Sequence, residues 1–71
     1  MIKTHLVIIG DEILDGKTLD TNSKFIINEL DKINLKVSRR ITISDNETDI
    51  LNTLEAEFNT ADIIITTGGL G

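Results

Sequence analysis

The residues best suited to chemistry in this 71-residue chain lie in two glycine-containing segments, one near each end. Gly10, Asp11 and Glu12 follow one apolar run, and Thr66 and Thr67 follow another and precede further glycines. Glycines after a strand let the backbone come close to a ligand, and consecutive backbone N–H groups can form a concave anion site. Carboxylates can accept ligand hydroxyl groups or hold Mg²⁺. Together the two segments predict a site for a small phosphorylated ligand, with or without a divalent metal.

The predicted contacts divide into backbone and side-chain groups. Backbone contacts to phosphate are expected from four glycines: Gly10, Gly68, Gly69 and Gly71. A hydroxyl contact is expected from Thr67. Metal binding, contacts to ligand hydroxyl groups and any catalytic role are expected from Asp11 and Glu12.

Each of these residues also has a purely structural interpretation. An isolated pair such as Gly68 and Gly69 is more often a strand-to-helix turn, and single acids such as Asp11 and Glu12 more often support a solvated loop. The terminal segment has neither the lysine of a P-loop nor the glycine spacing of the dinucleotide fingerprint, so neither of these nucleotide-binding motifs is present.

Three segments have the patterns of β-strands. Residues 6–9 and 63–65 are continuous runs of Leu, Val and Ile, typical of strands buried on both faces in a parallel sheet. Residues 35–43 alternate apolar and polar side chains and carry Arg39 at an inward position, which is typical of an edge strand. Arg39 and Arg40 are interpreted as edge-strand charges, and His5 as a strand-end residue with no further role.

A helix is predicted over residues 22–33, with Asp20 and its neighbours available for capping. Its apolar stripe is predicted from the helical spacing of five residues: Phe25, Ile26, Ile27, Leu30 and Ile33. Asn34 is expected to end the helix, because asparagine tolerates the left-handed conformation. Residues 10–20 before it have no periodicity and are expected to form a long ordered loop, a kind of segment that is often functional.

A second helix is predicted to begin near residue 44, with two capping registers open. Either Ser44 and Glu47 form a capping box, or Asn46 and Asp49 serve in a later register. Its apolar stripe is expected to contain either of two neighbours and two further residues: Ile50 or Leu51, Leu54 and Phe58. Its water-facing acids are expected to be Asp49, Glu55 and Glu57.

The order strand, loop, helix, strand, helix, strand predicts an α/β fold with parallel strands and right-handed crossovers. If the alternating strand is the edge, the spatial order is 2-1-3 in a three-layer α/β/α arrangement with a mostly parallel sheet. The first and third strands then flank a switch point, where open α/β sheets bind ligands outside the carboxyl ends of the strands. Both glycine-containing segments would meet there.

Composition limits the partners and the size of the unit. Seven basic and twelve acidic residues give a net charge of −5, so a nucleic-acid partner is not expected. No apolar run approaches the roughly 18 residues of a membrane span, and a cytoplasmic location is expected. Residues 1–71 are expected to be the amino-terminal part of a single domain, truncated after the Thr-Gly-Gly loop. Downstream residues or homo-oligomerisation are expected to cover the third strand.

The chain resembles the molybdopterin-binding, or molybdenum cofactor biosynthesis, domain family in three motifs: Gly-Asp-Glu-Ile-Leu-x-Gly at 10–16, Asp-Thr-Asn-Ser at 20–23 and Ile-Ile-Thr-Thr-Gly-Gly-Leu-Gly at 64–71. Within that family it is most similar to the N-terminal domain of competence/damage-inducible CinA-type proteins. The resemblance runs from the first strand to the last residue and implies an α/β/α sandwich of roughly twice this length. In family members a helix with further acidic residues follows the Thr-Gly-Gly loop.

The resemblance implies two chemistries. Branches that work in cofactor synthesis bind molybdopterin, a pterin dithiolene with a terminal phosphate, and pass it through an adenylylated form. The CinA-type branch is associated with divalent-metal-dependent hydrolysis of the pyrophosphate of ADP-ribose. Whether the protein is an enzyme is left open; if it is active, the resemblance implies adenylyl transfer or nucleotide pyrophosphatase chemistry in the full-length chain. A non-enzymatic interaction module is the hypothesis from another class.

Overall fold

The computed structural model describes residues 2–17 and 20–68. Strands and helices follow one another along the chain: β1 (Thr4–Ile9), α1 (Asp11–Leu14), α2 (Thr21–Lys32), β2 (Val37–Ile43), α3 (Glu47–Phe58) and β3 (Ile63–Thr67). The three strands form one parallel sheet in the order β2-β1-β3. The predicted α/β fold and the strand order 2-1-3 are therefore confirmed. Within the described segments, no helix combines the length and apolar character needed to cross a membrane.

The core of the described structure is β1, the central strand. All six of its residues are buried, and Leu6 and Val7 are 0% exposed. In register, Val7 pairs with Ile41 of β2 on one side and with Thr66 of β3 on the other. The chain passes from β1 to β2 and then back across β1 to β3, so right-handed crossovers place α2 and α3 on opposite faces of the sheet.

The third strand is less buried than its sequence predicts. Residues 63–65 are half-buried and Thr66 is exposed, whereas a continuous run of isoleucines predicts burial on both faces. The reason is its position, since β3 pairs only with β1 within the described part of the sheet. An edge strand has a neighbour on one side only.

The prediction of an irregular loop over residues 10–20 is wrong at its start, where α1 forms a single helical turn. The Leu14 amide donates to the Gly10 carbonyl at 3.0 Å, and the Asp15 amide donates to the Asp11 carbonyl at 2.8 Å. Carboxylates in the first turn interact favourably with a helix N-terminus, which favours this turn at an acidic sequence. A single turn is too short to show a helical period. Residues 18 and 19 of the expected loop lie outside the described residues.

The first long helix, α2, follows its prediction with two exceptions. Asp20 caps it, because its Oδ1 accepts a hydrogen bond from the Ser23 amide at 3.0 Å. The inward face consists of one fully buried residue and three half-buried ones: Ser23, Ile26, Ile27 and Leu30. Phe25 and Ile33 are 66% and 67% exposed, so their assignment to the stripe is wrong. Ile33 is the C-cap, and Asn34 at φ 66° ends the helix as predicted.

The edge strand β2 begins at Val37, two residues later than the alternation predicts. Arg39 and Arg40 are both exposed, as expected of charges that protect a sheet edge from pairing with other chains.

The last helix, α3, uses the second of the two capping registers. Asn46 Oδ1 accepts hydrogen bonds from the Thr48 amide at 2.9 Å and the Asp49 amide at 3.2 Å. Ser44 is not the cap, because its hydroxyl donates to Asp49 Oδ2 at 2.6 Å. Side-chain oxygens at this position satisfy amides that would otherwise lack a partner.

The inward face of α3 differs from its prediction at the carboxyl end. Ile50 and Leu54 are half-buried as expected, and Ile50 rather than Leu51 belongs to the stripe. Phe58 is 67% exposed and Glu57 only 7% exposed, so the predicted roles of these neighbours are reversed. A charged side chain is buried next to the position where the sequence predicts a buried aromatic one.

Two side chains of the sheet explain the burial of Glu57. Its Oε1 lies 2.9 Å from His5 Nδ1 and 2.9 Å from Arg39 Nε. His5 and Arg39 are partners in the register of β1 and β2, so they reach the same side of the sheet. We call these three residues the His5 cluster. The interpretation of His5 as a mere strand-end residue is wrong, because it is buried and hydrogen-bonded.

Candidate functional site

The ends of all three strands meet at the carboxyl edge of the sheet. The Gly10 amide donates to the Ile43 carbonyl at 3.0 Å, which joins the end of β1 to the end of β2. Gly68 follows β3 and lies against Ile9, the last residue of β1. The described glycines of the two predicted segments, Gly10 and Gly68, therefore both lie at the switch point between β1 and β3.

Gly68 is required at its position by both conformation and space. Its φ of +99° lies in a region that favours glycine. A Cβ atom there would lie 2.2 Å from the Ile9 carbonyl oxygen, which belongs to the backbone and cannot rotate away. Gly10 is less constrained, since a Cβ atom would meet only the flexible Glu12 side chain, at 3.0 Å. The tight packing of the two strand ends depends on Gly68.

An acidic pair spans the ends of β1 and β2. The backbone amide of Asp45 donates to Asp11 Oδ1 at 3.3 Å, and both residues are exposed. Glu12 is exposed beside them in α1. The carboxyl edge thus presents two predicted site residues, Asp11 and Glu12, together with Asp45, which sequence reasoning missed.

The signal that could have found Asp45 is its position after a strand. Asp45 follows the end of β2 by two residues, as Asp11 follows the end of β1. In a parallel sheet all carboxyl ends lie at one edge, so a polar residue after any strand is a candidate for the same site.

The pKa of Asp45 reflects the negative charge at this edge of the sheet. Its hydrogen bond to the Asp11 side chain, followed by the negative charge of Asp11, raises the pKa of Asp45 above its ordinary value. Burial and the charge of Glu12 raise this pKa further, while a backbone hydrogen bond opposes them. A cation bound near these carboxylates would favour the ionised form of Asp45.

The carboxylate oxygens at this edge are suited to a divalent metal that is coordinated by both the protein and its ligand. In the described ranges, no set of three or more His, Cys, Asp or Glu side chains is arranged to hold a metal ion by itself. Mg²⁺, however, is usually bound through one or two carboxylates together with phosphate oxygens of the ligand. Asp11 and Glu12 supply carboxylates of the required type.

The remaining predicted site residues lie at or beyond the end of β3. Thr67 is half-buried at the last position of the strand, opposite Ile8 of β1. The predicted phosphate contacts at Gly69 and Gly71 lie outside the described residues.

A separate cavity lies at the opposite edge of the sheet, near the amino ends of the strands. It has a volume of about 230 Å³ and is lined by Ile2, Asn34, Leu35 and Lys36. None of the predicted site residues lines it, so this cavity is not part of the candidate site.

The amino-acid sequence of the chain is similar to those of known proteins. Residues 5–71 match the family model described as "Probable molybdopterin binding domain". The chain is 47% identical over 70 residues to a CinA-like protein of Flavobacterium psychrophilum, covering 99% of this chain. It is 41% identical over 70 residues to a Clostridium botulinum protein described as competence-damage inducible. In both cases the chain spans 17% of the length of the relative.

A solved structure shares the fold. The crystal structure of the protein CinA with unknown function, from Thermoplasma acidophilum, superposes with a TM-score of 0.88 and is 30% identical. The similarity covers 97% of this chain and 41% of that one. The arrangement of strands and helices that positions the carboxyl edge is therefore common to both proteins.

Proposed function

Because the chain belongs to the family of molybdopterin-binding-like domains matched over residues 5–71, we propose that it binds a small phosphorylated ligand, a pterin or a nucleotide, at the carboxyl edge of its sheet. The observation that carries this proposal is the approach of Gly68 to the Ile9 carbonyl, where a Cβ atom would lie at 2.2 Å. Gly68 lies beside Ile9 at the end of β1, and Asp11 and Glu12 follow that end in the sequence. Backbone amides and carboxylates are thereby available to one ligand.

The two segments would have complementary roles. Backbone N–H groups of Gly68 and the glycines after it would bind phosphate oxygens, as consecutive amides do in anion-binding concavities. Thr67 would add a hydroxyl contact. Asp11 and Glu12 would accept ligand hydroxyl or amino groups, or hold a divalent metal against the phosphate.

A second candidate function is divalent-metal-dependent hydrolysis of the pyrophosphate in ADP-ribose. The observation that favours it is the pair formed by Asp11 and Asp45, whose mutual repulsion a cation would relieve. The similar proteins named CinA-like are consistent with this branch. A metal bound there would supply Lewis-acid activation of a phosphoryl oxygen.

The two functions are separated by calorimetric titration of the full-length protein that contains this sequence. The ligands are ADP-ribose with Mg²⁺ and, separately, molybdopterin. ADP-ribose binding followed by release of AMP supports the pyrophosphatase function. Affinity for molybdopterin without ADP-ribose turnover supports the cofactor-handling function.

Absence of binding to either ligand would contradict the proposal and favour a non-enzymatic interaction module. The matched control is the variant Asp15→Asn, in which an exposed carboxylate of the same segment is removed. Its affinity is expected to equal that of the wild type, because no described side chain of the acidic pair contacts Asp15.

A further inference from the structure

The His5 cluster is a buried polar group that the proposed site does not use. His5 and Glu57 are 5% and 7% exposed, and Glu57 Oε1 is 2.9 Å from both His5 Nδ1 and Arg39 Nε. An ionised carboxylate can only accept hydrogen bonds, so beside an ionised Glu57 the Nδ1 atom of His5 is the donor. A single carboxylate oxygen therefore joins β1, β2 and α3 near the amino-terminal edge of the sheet.

A cluster of this kind determines geometry more strongly than it adds stability. The free-energy cost of burying charged groups is offset only when their hydrogen-bonding geometry is good. A shift of α3 along the sheet would remove the Glu57 acceptor and leave His5, a buried donor, without a partner. Buried polar contacts of this kind can fix the register of a helix.

The helix that carries Glu57 begins at the candidate site. Asn46 caps α3, and Asp45 immediately precedes this cap. Glu57 is the eleventh of the 12 residues of α3, so about 17 Å of helix separates it from the cap. Fixing the carboxyl end of this helix fixes how far its amino end extends toward the carboxyl edge.

We propose that the His5 cluster positions the candidate site: it sets the location of α3 along the sheet and thereby the approach of Asp45 to Asp11. Glu57 is a positioning residue in this scheme, since it lies at the other end of the helix from the acidic pair. The consequence for ligand binding rests on the proposed function. The positioning itself is measurable without any ligand.

The test follows the amide signals of Asp11 and Asp45 by nuclear magnetic resonance in full-length protein labelled with ¹⁵N-aspartate. The signals are assigned by their loss in Asp11→Asn and Asp45→Asn. Glu57→Ala removes the acceptor and is expected to shift both signals. Glu57→Gln keeps an acceptor oxygen and is expected to restore signals close to those of the wild type.

The matched control is Glu55→Ala, which removes an exposed carboxylate from the same helix and is expected to shift neither signal. A folded Glu57→Ala protein with both signals unmoved would overturn the proposal, as would an equal shift in Glu55→Ala. If the Glu57→Ala protein does not fold, the same two amide signals are measured in Arg39→Ala instead. This substitution removes one hydrogen-bond donor to Glu57, and the Arg39 side chain is 55% exposed. We expect the amide signals of Asp11 and Asp45 to shift by less than in Glu57→Ala. If neither signal shifts, the proposal is overturned.

A titration of the same variants with Mg²⁺ alone separates the positioning role of the His5 cluster from the proposed metal contact at the acidic pair. Shifted signals together with weaker Mg²⁺ binding in Glu57→Ala support both the positioning and the metal contact at the acidic pair. Shifted signals with unchanged Mg²⁺ binding support the positioning and contradict the proposed metal contact.

Discussion

Gly68 lies so close to Ile9 that a Cβ atom on the glycine would be 2.2 Å from the Ile9 carbonyl oxygen. This contact joins the end of β3 to the end of β1. It explains why glycine is needed directly after the third strand even before any ligand is considered. The same contact places Gly68 beside the end of β1, directly before Gly10 and the acidic start of α1.

The substitution Gly68→Ala is therefore expected to destabilise the full-length protein by more than the cost of a positive φ alone. Gly16→Ala is the control, because Gly16 has φ +79° and no neighbouring atom within 4 Å of an added Cβ. That variant should lose about 1–2 kcal/mol. Denaturant unfolding measures both, and equal losses would show that the Ile9 contact is unimportant.

Asp45→Asn tests the repulsion within the acidic pair. The raised pKa of Asp45 means that the folded state binds a proton more tightly than the unfolded chain. Stability from this group is thus present at pH values below the ordinary aspartate pKa and is lost as pH rises through the raised value. An asparagine side chain cannot ionise, and the Asp45 backbone amide that donates to Asp11 is unchanged by the substitution.

We expect Asp45→Asn to raise the unfolding midpoint at neutral pH and to have little effect in acid, where Asp45 is already protonated. Thermal unfolding at both pH values measures this difference. A midpoint lowered at neutral pH would contradict the account of Asp45. Glu55→Gln, an exposed substitution on α3, serves as the control for loss of one negative charge.

Glu57→Ala should be strongly destabilising, in contrast to an ordinary surface glutamate. Loss of this acceptor leaves the buried His5 side chain without a hydrogen-bond partner, and an unsatisfied buried polar group costs about 1–3 kcal/mol. Glu55→Ala should change the unfolding free energy by less than about 0.5 kcal/mol. Similar unfolding free energies for the two variants would be inconsistent with the His5 cluster.

Asn46→Ala removes the cap of α3 and is expected to cost about 1 kcal/mol. The reason is that the Thr48 and Asp49 amides lose their acceptor. Asn52→Ala, at an exposed position inside the same helix, is the matched control and should be neutral or slightly stabilising. If Ser44→Ala were the more damaging variant, the capping register would be wrong.

Asp11→Asn tests the role of the acidic pair in ligand binding. If Asp11 holds a metal against the phosphate, Mg²⁺-dependent affinity for the ligand should fall about tenfold or more, a change of roughly 1.4 kcal/mol. Affinity measured without Mg²⁺ should change little. Calorimetry with and without Mg²⁺ measures the effect. If the ligand affinity is the same in Asp11→Asn and the wild type, Asp11 does not bind the ligand and only supports α1.

The strand order could be predicted from the sequence because the pattern of apolar residues in a strand indicates how much of that strand is buried. The continuous apolar run at residues 6–9 is typical of a strand buried on both faces, and the alternation after residue 35 suits an edge. These patterns fix the strand order and hence the edge at which the site lies. The capping alternatives of α3 could not be separated because both Ser44 and Asn46 are good caps.

Long-range pairing is what sequence patterns could not predict. Glu57 is buried because β1 and β2 place His5 and Arg39 opposite each other. The contact between His5 and Glu57 joins residues 52 positions apart in the chain. Asp45 was missed although its position two residues after β2 is a usable signal, whereas its contact with Asp11 is formed only by the folded sheet. The single turn of α1 was missed because four residues show no period.

Hydrogen–deuterium exchange of the full-length protein, with and without ADP-ribose and Mg²⁺ or molybdopterin, tests the central claim most directly. If the carboxyl edge binds the ligand, exchange should slow in residues 10–15, 44–46 and 66–68 and remain unchanged in residues 34–37 at the opposite edge. Slower exchange confined to residues 34–37, or calorimetric binding with no change at the carboxyl edge, would contradict the assignment of the site.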